Sequence, residues 1–305
     1  MVGEEGGDAM AEPRRAVEVL HGVLAHWAES VTRILRHEDA TSSWFFDEDL
    51  VHDARVGGRR IRANLRTFHT LVEPSWSTRL RGELAWFDGP LGRARDLQLL
   101  GKAIEVHAAL VCRPHEVDRL AELVQAELEA AWASVVEMLA DPRFQGVLES
   151  LDQLHHQLPV PRAATSLAGS DLRGLCARAA HDVVAAGRRA KRDPNLHHLH
   201  LLRIRAKALR YGAETAAVVD GLPAHRCATA AENLQGRLGA VQDAATAMAW
   251  LSATGTAHPS LQRPTARLVE LQRDLIARGA DGWQDDLKTI RRRWDAWGTA
   301  ASSAH

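Results

Sequence analysis

Apolar residues recur along most of the chain at the three- and four-residue spacing that places them on one face of an α-helix. The first such segment runs from about residue 13 to residue 37, and it follows a Glu-Pro pair that suits a first helical turn. No segment shows a convincing alternation of apolar and polar residues, and runs of β-branched residues are few. The pattern therefore predicts an all-α fold.

Breaks in the pattern divide the first half of the chain into further helices. The segment TSSWFFDED interrupts it, so Asp47 or Asp49 is the expected N-cap of a second helix that ends near residue 72. A third helix is predicted over 75–110, where the Gly89-Pro90 pair should kink or divide it. A fourth helix is predicted over about 116–139, with one or two short helices over 141–157.

The second half of the chain repeats this order. A helix is predicted over about 172–191, and Asp193 and Pro194 are the expected N-cap and first residue of the next helix. The segment Gly221-Leu222-Pro223 should break the pattern before a third helix that ends near residue 251. Helices over 261–277 and 282–298 complete the prediction. Two four-helix bundles related by a pseudo-twofold axis are the simplest architecture.

One predicted helix, in the segment VHDARVGGRRIRANLRTF (51–68), carries an ordered row of positive charge. At 100° per residue, five basic positions fall within about 80° of one another. These positions are His52, Arg55, Arg59, Arg62 and Arg66. Apolar residues, among them Ile61 and Leu65, lie on the opposite side, where the helix would be buried. A basic stripe of this kind favours a bound anion.

The stripe returns in the segment LHLLRIRAKALRY (199–211). Its basic residues keep the spacing of the first stripe at an offset of 148 residues, and they are His200, Arg203, Lys207 and Arg210. The segment LGRARD, which begins at Leu91, likewise returns as LGAVQD, which begins at Leu238. Two landmarks with nearly the same offset indicate an internal duplication.

The duplication predicts the domain organisation. The two halves are expected at 13–157 and 172–298, joined by a Pro-, Ser- and Gly-containing linker at 158–171. Residues 1–12, which contain the acidic and glycine-rich start MVGEEGGDAM, and residues 299–305 are expected to be disordered ends.

The composition is that of a globular protein, with 305 residues, 46% hydrophobic and 25% charged residues. The formal net charge is -1, so any anion site must come from the segregation of charge. Residues 188–210 carry eight Arg or Lys and one acid, whereas residues 113–150 carry eight acids and three arginines. Three cysteines without metal or redox spacing indicate a reducing compartment. With no leader-like start and no long apolar run, a cytoplasmic location without a membrane partner is expected.

The four fragments HDARVGGRRIRANLRTF, LGRARDLQLL, HLLRIRAKALRY and LGAVQDA resemble the paired signatures of the CHAD family, the conserved histidine α-helical domain. The resemblance extends over about 13–297. It implies two helical bundles that bind inorganic polyphosphate along a basic surface between them, without catalysis. No cofactor is implied. No segment of this sequence resembles the triphosphate-tunnel β-barrel that is often fused to this family, so hydrolase activity is not expected.

The resemblance also implies which residues bind polyphosphate. Matched position by position, they are His52, Arg55, Arg59, Arg62, His200, Arg203, Lys207 and Arg210. We add Arg66 from the first stripe, Arg93 and Arg95 from LGRARD, and Arg189 from the basic run. Gln98 and Gln242 depart from the usual family pattern, so the third helix of the second half is expected to offer less charge. Asp96 and Asp243 are expected to hold an arginine in register.

Other interpretations of these residues remain open. A basic stripe can be a solvated helix face, although such a face has no need to keep its spacing in two copies. The 16 histidines permit a metal site. Those near the stripes are not accompanied by carboxylate or cysteine ligands, so no metal site is predicted.

Other functions also remain open. A polyphosphate or triphosphate phosphohydrolase would need a metal-holding acid cluster beside the stripes. Nucleic-acid binding uses the same phosphate chemistry, but the stripes lack aromatic residues, so nucleic acid is not the expected partner. The oligomeric state is left open.

Overall fold

A computed structural model describes the backbone of residues 15–35 and 48–302, and the side chains of residues 15–32 and 51–300. Within this part of the chain the structure is helical, and the only bridge between extended residues is an isolated one from Arg15 to Ala168. The helices are α1 (Ala16–Leu35), α2 (Glu48–Thr67), α3 (Pro74–Val111), α4 (Pro114–Ala140), α5 (Pro142–His156), α6 (Leu172–Arg192), α7 (Leu196–Ala257), α8 (Gln262–Gly279) and α9 (Trp283–Ser302). The predicted all-α fold is confirmed.

Helix α7 consists of two arms that meet at Gly221, whose φ of 59° and ψ of −135° are not helical. Glycine adopts a positive φ without the steric cost that a Cβ would impose, so the helix can change direction at this residue. Pro223 opens the second arm, where its fixed φ and missing N–H are tolerated. The predicted break at Gly221-Leu222-Pro223 is therefore present, although the two arms follow each other without a loop.

The core forms where the apolar faces of neighbouring helices meet. Helix α1 packs against α2 and α5, and α3 packs against α2 and α4. Helix α7 packs against α6, α8 and α9, and it also contacts α2. Counting the arms of α7 separately, each half holds five helices, one more than a four-helix bundle; the additional helices, α5 and α9, correspond to the predicted segments 141–157 and 282–298. The contact between α2 and α7 brings together the two helices that carry the basic stripes.

The structure specifies two details of the predicted helices. The Gly89-Pro90 pair, which was expected to kink or divide α3, does not divide it, because the helix continues through Pro90. Helix α7 begins at Leu196, so Asp193 and Pro194 are not its N-cap and first residue. Instead, the side chain of Asn195 accepts a hydrogen bond from the backbone N–H of His198 at 2.9 Å. An asparagine oxygen satisfies one of the free N–H groups of the first turn, which favours this start.

The segment between α5 and α6 is more ordered than a flexible linker. It contains two short 3-10 helices, Arg162–Ala164 and Gly169–Asp171. The carbonyl of Leu167 accepts a hydrogen bond from the N–H of Ala16 at 2.9 Å, and Leu158 is buried. The segment is therefore packed against the start of α1.

Several predicted boundaries fall at the ends of the described residues. The expected disordered tail at 299–305 is wrong for residues 299–302, because α9 continues to Ser302. Asp49 lies inside α2, so it is not the N-cap. The other proposed cap, Asp47, and the expected disordered start at 1–12 lie outside the described residues.

Candidate functional site

The first basic stripe lies on α2 and faces α3. The Nη2 atom of Arg55 lies 3.7 Å from Oδ1 of Asp96, and it is 3.6 Å from the position that a Cβ would take on Gly92. The repeated segment LGRARD therefore has a structural meaning. Its Leu91 is buried in the core, its glycine lies under the Arg55 guanidinium, and its aspartate pairs with that arginine.

The second stripe, on the first arm of α7, makes the equivalent contacts with the second arm. Nε of Arg203 lies 3.5 Å from the position of a Cβ on Gly239, and its charge opposes the rise that burial causes in the pKa of Asp243. Nδ1 of His200 lies 2.9 Å from Oε1 of Gln242. Gln242 therefore orients His200. The sequence indicated only that Gln242 carries no charge, and this contact was not predicted.

Lys207 joins the two stripes. Burial, together with the neighbouring charges of Arg59, Arg203 and Arg55, lowers the pKa of its ammonium group to about 7, although Asp88 acts in the opposite direction. Arg59 and Arg55 belong to α2, whereas Lys207 and Arg203 belong to α7. The two stripes therefore face one another across the contact between these helices. A partly buried ammonium group among arginines gains from an anion that would neutralise them.

Asp88 of α3 is an acid that the sequence did not single out. Its Oδ2 accepts a hydrogen bond from Nη1 of Arg62 at 2.8 Å, and its side chain is 10% exposed. Burial raises the pKa of this carboxyl group, against the lowering effects of Arg62, Arg59 and Arg55. Its Oδ1 is buried without a hydrogen-bond partner among the described residues. Asp88 thus holds Arg62 in place but offsets only part of the local positive charge.

These contacts define the central cluster, which has five cationic members: Arg55, Arg59, Arg62, Arg203 and Lys207. Burial also lowers the pKa of Arg55, with Arg59 acting in the same direction. The Nε atoms of Arg59 and Arg203 are buried and lack a hydrogen-bond partner among the described residues. A buried donor without a partner is costly, so a ligand with several acceptor oxygens would stabilise this arrangement.

Arg66 continues the first stripe beyond the central cluster. It is exposed at the C-terminal end of α2, where burial of part of the group and the charges of Arg81, Arg62 and Arg205 lower its pKa. Arg81 and Arg205 were not among the predicted site residues. The positive potential therefore extends from α2 towards α3, which carries Arg81, and α7, which carries Arg205.

Arg60, which follows Arg59, has a different environment. Its guanidinium lies 4.5 Å from the ring centroid of Trp27 and 4.6 Å from that of Tyr211, and it pairs with Glu214. Arg60 thus connects α1, α2 and α7 on another side of α2. These contacts indicate a structural role in holding the helices together.

The remaining predicted site residues are more dispersed. Arg93 is exposed and pairs with Glu127 of α4 at 3.4 Å, and Arg95 donates to Gln98 at 3.2 Å. Arg210 pairs with Glu214 and Glu232, at 2.7 Å in each case. His52 and Arg189 are exposed, and Arg189 lies near a pocket beside α6. The structure thus brings five of the predicted residues together in the central cluster, whereas these five have other partners or are exposed.

The described part of the chain contains no group of three or more His, Cys, Asp or Glu side chains that could hold a metal ion. None of the described helices has the length and apolarity needed to cross a membrane.

The described residues define a helical protein in which two equivalent basic helices meet at one charged cluster. The chain belongs to the CHAD family, because the model of the CHAD domain matches residues 20–252. This match confirms the family resemblance that the four sequence fragments indicated. No curated protein matches the chain.

Two solved structures share the fold. PptA from Streptomyces chartreusis matches with a TM-score of 0.73 and 19% identity, over 90% of this chain and 100% of that chain. The CHAD domain from the plant Ricinus communis matches with a TM-score of 0.67 and 20% identity, over 93% of each chain. At these identities the similarity concerns the fold.

Proposed function

We propose that this protein binds inorganic polyphosphate in the central cluster without hydrolysing it. The observation that carries the proposal is the position of Lys207 among Arg55 and Arg59 of the other stripe. A single negatively charged chain that lies across the contact between α2 and α7 can contact both stripes at once. Membership of the CHAD family is consistent with a polyphosphate-related function.

The chemistry of the cluster suits a chain of phosphates. Guanidinium groups form bidentate hydrogen bonds with phosphate oxygens, and an ammonium group adds a compact charge. From His52 to Arg66 the first stripe covers about 21 Å at 1.5 Å per residue, so one small anion would contact only part of it. We further propose that the protein is cytoplasmic and that polyphosphate binding targets it to polyphosphate granules.

The experiment that tests the function combines binding and turnover. Purified protein is titrated with polyphosphate, and released phosphate is followed during incubation with divalent metal ions. Saturable binding without phosphate release is expected. Turnover that depends on the protein would instead support the phosphohydrolase alternative. Competition with DNA and RNA for the same labelled site distinguishes the nucleic-acid alternative, because only a polyphosphate site should prefer polyphosphate at equal charge.

A further inference from the structure

A second basic site lies between α6 and the first arm of α7. It is a pocket of about 240 Å³ that we call the α6 pocket. Three arginines and a histidine line it, and they are Arg178, Arg189, Arg205 and His198. Ala185, Ala186 and Leu201 provide its apolar lining. Such a combination can hold a small, strongly charged group against a shaped surface.

The carboxylate of Asp182 also lines the pocket, and it orders two of the arginines. Oδ1 of Asp182 lies 3.6 Å from Nε of Arg178, and Oδ2 lies 3.3 Å from Nη1 of Arg205. His181 also approaches Asp182, with 3.7 Å between Nδ1 and Oδ1. Asp182 therefore holds two arginines in place, but it cannot neutralise the three that line the pocket. The remaining positive charge is available to an anion.

The α6 pocket is electrostatically connected to the central cluster. Arg205 lines the pocket, and its charge lowers the pKa of Arg66, as does the charge of Arg62. Arg62 and Arg66 are on successive turns of α2, about 6 Å apart along the helix axis. A path of positive charge therefore leads from the central cluster through Arg66 to Arg205.

We propose that the α6 pocket binds the terminal segment of a long polyphosphate chain whose inner part lies in the central cluster. This inference rests on the proposed function and adds a preference for chain length to it. A long chain contacts both sites, and the second contact is intramolecular once the first has formed. Tripolyphosphate, a much shorter chain, is expected to occupy only the central cluster.

The test compares Arg178→Ala with Arg188→Ala. Both residues are exposed arginines of α6, but only Arg178 lines the pocket. Arg178→Ala should weaken the binding of long-chain polyphosphate on the order of tenfold, because a charge-assisted contact is lost. It should leave the binding of tripolyphosphate unchanged. Arg188→Ala should change neither affinity by more than about twofold, since it removes only screened long-range attraction.

Several results would overturn the inference. Equal effects of the two substitutions on long-chain binding would show that the pocket is not used. An equal loss for tripolyphosphate in Arg178→Ala would mean that Arg178 acts through the fold or the central cluster. If Arg178→Ala weakened the binding of orthophosphate but not that of long chains, the pocket would hold a free phosphate instead. If the unmodified protein bound no polyphosphate, the proposed function would fail and this inference with it.

Discussion

Arg59 and Lys207 hold the same position in the two copies of the basic motif, and the charge of Arg59 is the largest electrostatic contribution to the lowered pKa of Lys207. Their helices, α2 and α7, contact one another. Equivalent residues of a duplicated motif thus contribute to one charged cluster. This relationship explains why both copies need a cation at this position if a single polyanion binds between them.

Removing either residue should weaken polyphosphate binding. We expect Arg59→Ala and Lys207→Ala to cost about 1.5–3 kcal/mol of binding free energy each, because each loses a charge-assisted contact. The affinities are measured by titration at fixed salt and at pH 6, where Lys207 is protonated.

Arg60→Ala is an unsuitable control for this comparison, because Arg60 packs between Trp27 and Tyr211. Arg292→Ala on the exposed surface of α9 is a better one. Equal losses in all three variants would indicate diffuse electrostatic attraction.

Binding should depend on pH through Lys207. Since the pKa of its ammonium group is lowered to about 7, the free protein loses this positive charge as the pH rises through 7. A bound polyanion favours the charged form, so affinity should decrease above pH 7 and binding there should take up a proton. Lys207→Arg should flatten the pH profile, because arginine stays charged. Calorimetry in buffers of different ionisation enthalpy measures the proton uptake, and identical profiles for both proteins would contradict the expectation.

The same group affects folding stability. Its pKa is about 7 in the folded protein and near the ordinary value of 10.5 in the unfolded chain. Between these values the unfolded chain binds more protons, so the contribution of Lys207 to the free energy of unfolding rises with pH. Below about pH 7 the buried ammonium group is charged in both states, and the cost of burying it lowers the free energy of unfolding in full. Denaturant unfolding of the free protein and of Lys207→Met across this range checks the sign, since only the former should show this rise.

Asp88 should limit the affinity for polyphosphate. Its carboxylate forms an ion pair with Arg62 and also interacts electrostatically with Arg55 and Arg59. Asp88→Asn keeps the size of the side chain and removes the negative charge, so we expect binding at pH 6 to strengthen by about 0.5–1.5 kcal/mol. Glu83→Gln on the same helix is the control, because Glu83 pairs with Arg143 of α5 instead. Weaker binding in Asp88→Asn would show that Asp88 supports binding, by positioning Arg62, more than it opposes binding through its negative charge.

Arg60 should stabilise the fold. Arg60→Ala removes an ion pair with Glu214 and two contacts with aromatic rings, so the free energy of unfolding should fall by about 2–4 kcal/mol. Both charged side chains are less than a quarter exposed, so solvent screens the pair only in part. Chemical denaturation monitored by circular dichroism gives the value, with Arg292→Ala as the exposed reference. If Arg60→Ala lowered the free energy of unfolding no more than Arg292→Ala does, Arg60 would not hold the helices together.

Polyphosphate affinity should fall steeply with salt. When several Arg and Lys side chains neutralise phosphates, the release of counterions supplies much of the binding free energy. Titrations over a series of salt concentrations give the slope of log affinity against log salt. The slope should become shallower in the double variant Arg59→Ala, Lys207→Ala. A nearly flat salt dependence in the unmodified protein would contradict binding that is driven by the charges of the central cluster.

The sequence by itself determined the class of fold, the family and the two basic stripes. Helical periodicity follows from local geometry, so the spacing of Arg55, Arg59 and Arg62 already placed them on one face of α2. Glycine at position 221 likewise marked the break in α7, because few other residues adopt its backbone angles. The repeat gave Arg203 and Lys207 as the counterparts of the first stripe.

Only the tertiary structure decided which charges meet. Asp88 lies 26 residues after Arg62, and Glu214 lies 154 residues after Arg60, so neither pairing follows from helical phase. Arg205 is off the second stripe in sequence but lines the α6 pocket and influences Arg66. Arg93, one of the predicted site residues, pairs with Glu127 of α4, and this contact too does not follow from the sequence. The physical reason is that local spacing fixes the face on which a side chain lies, whereas helix packing determines what that face meets.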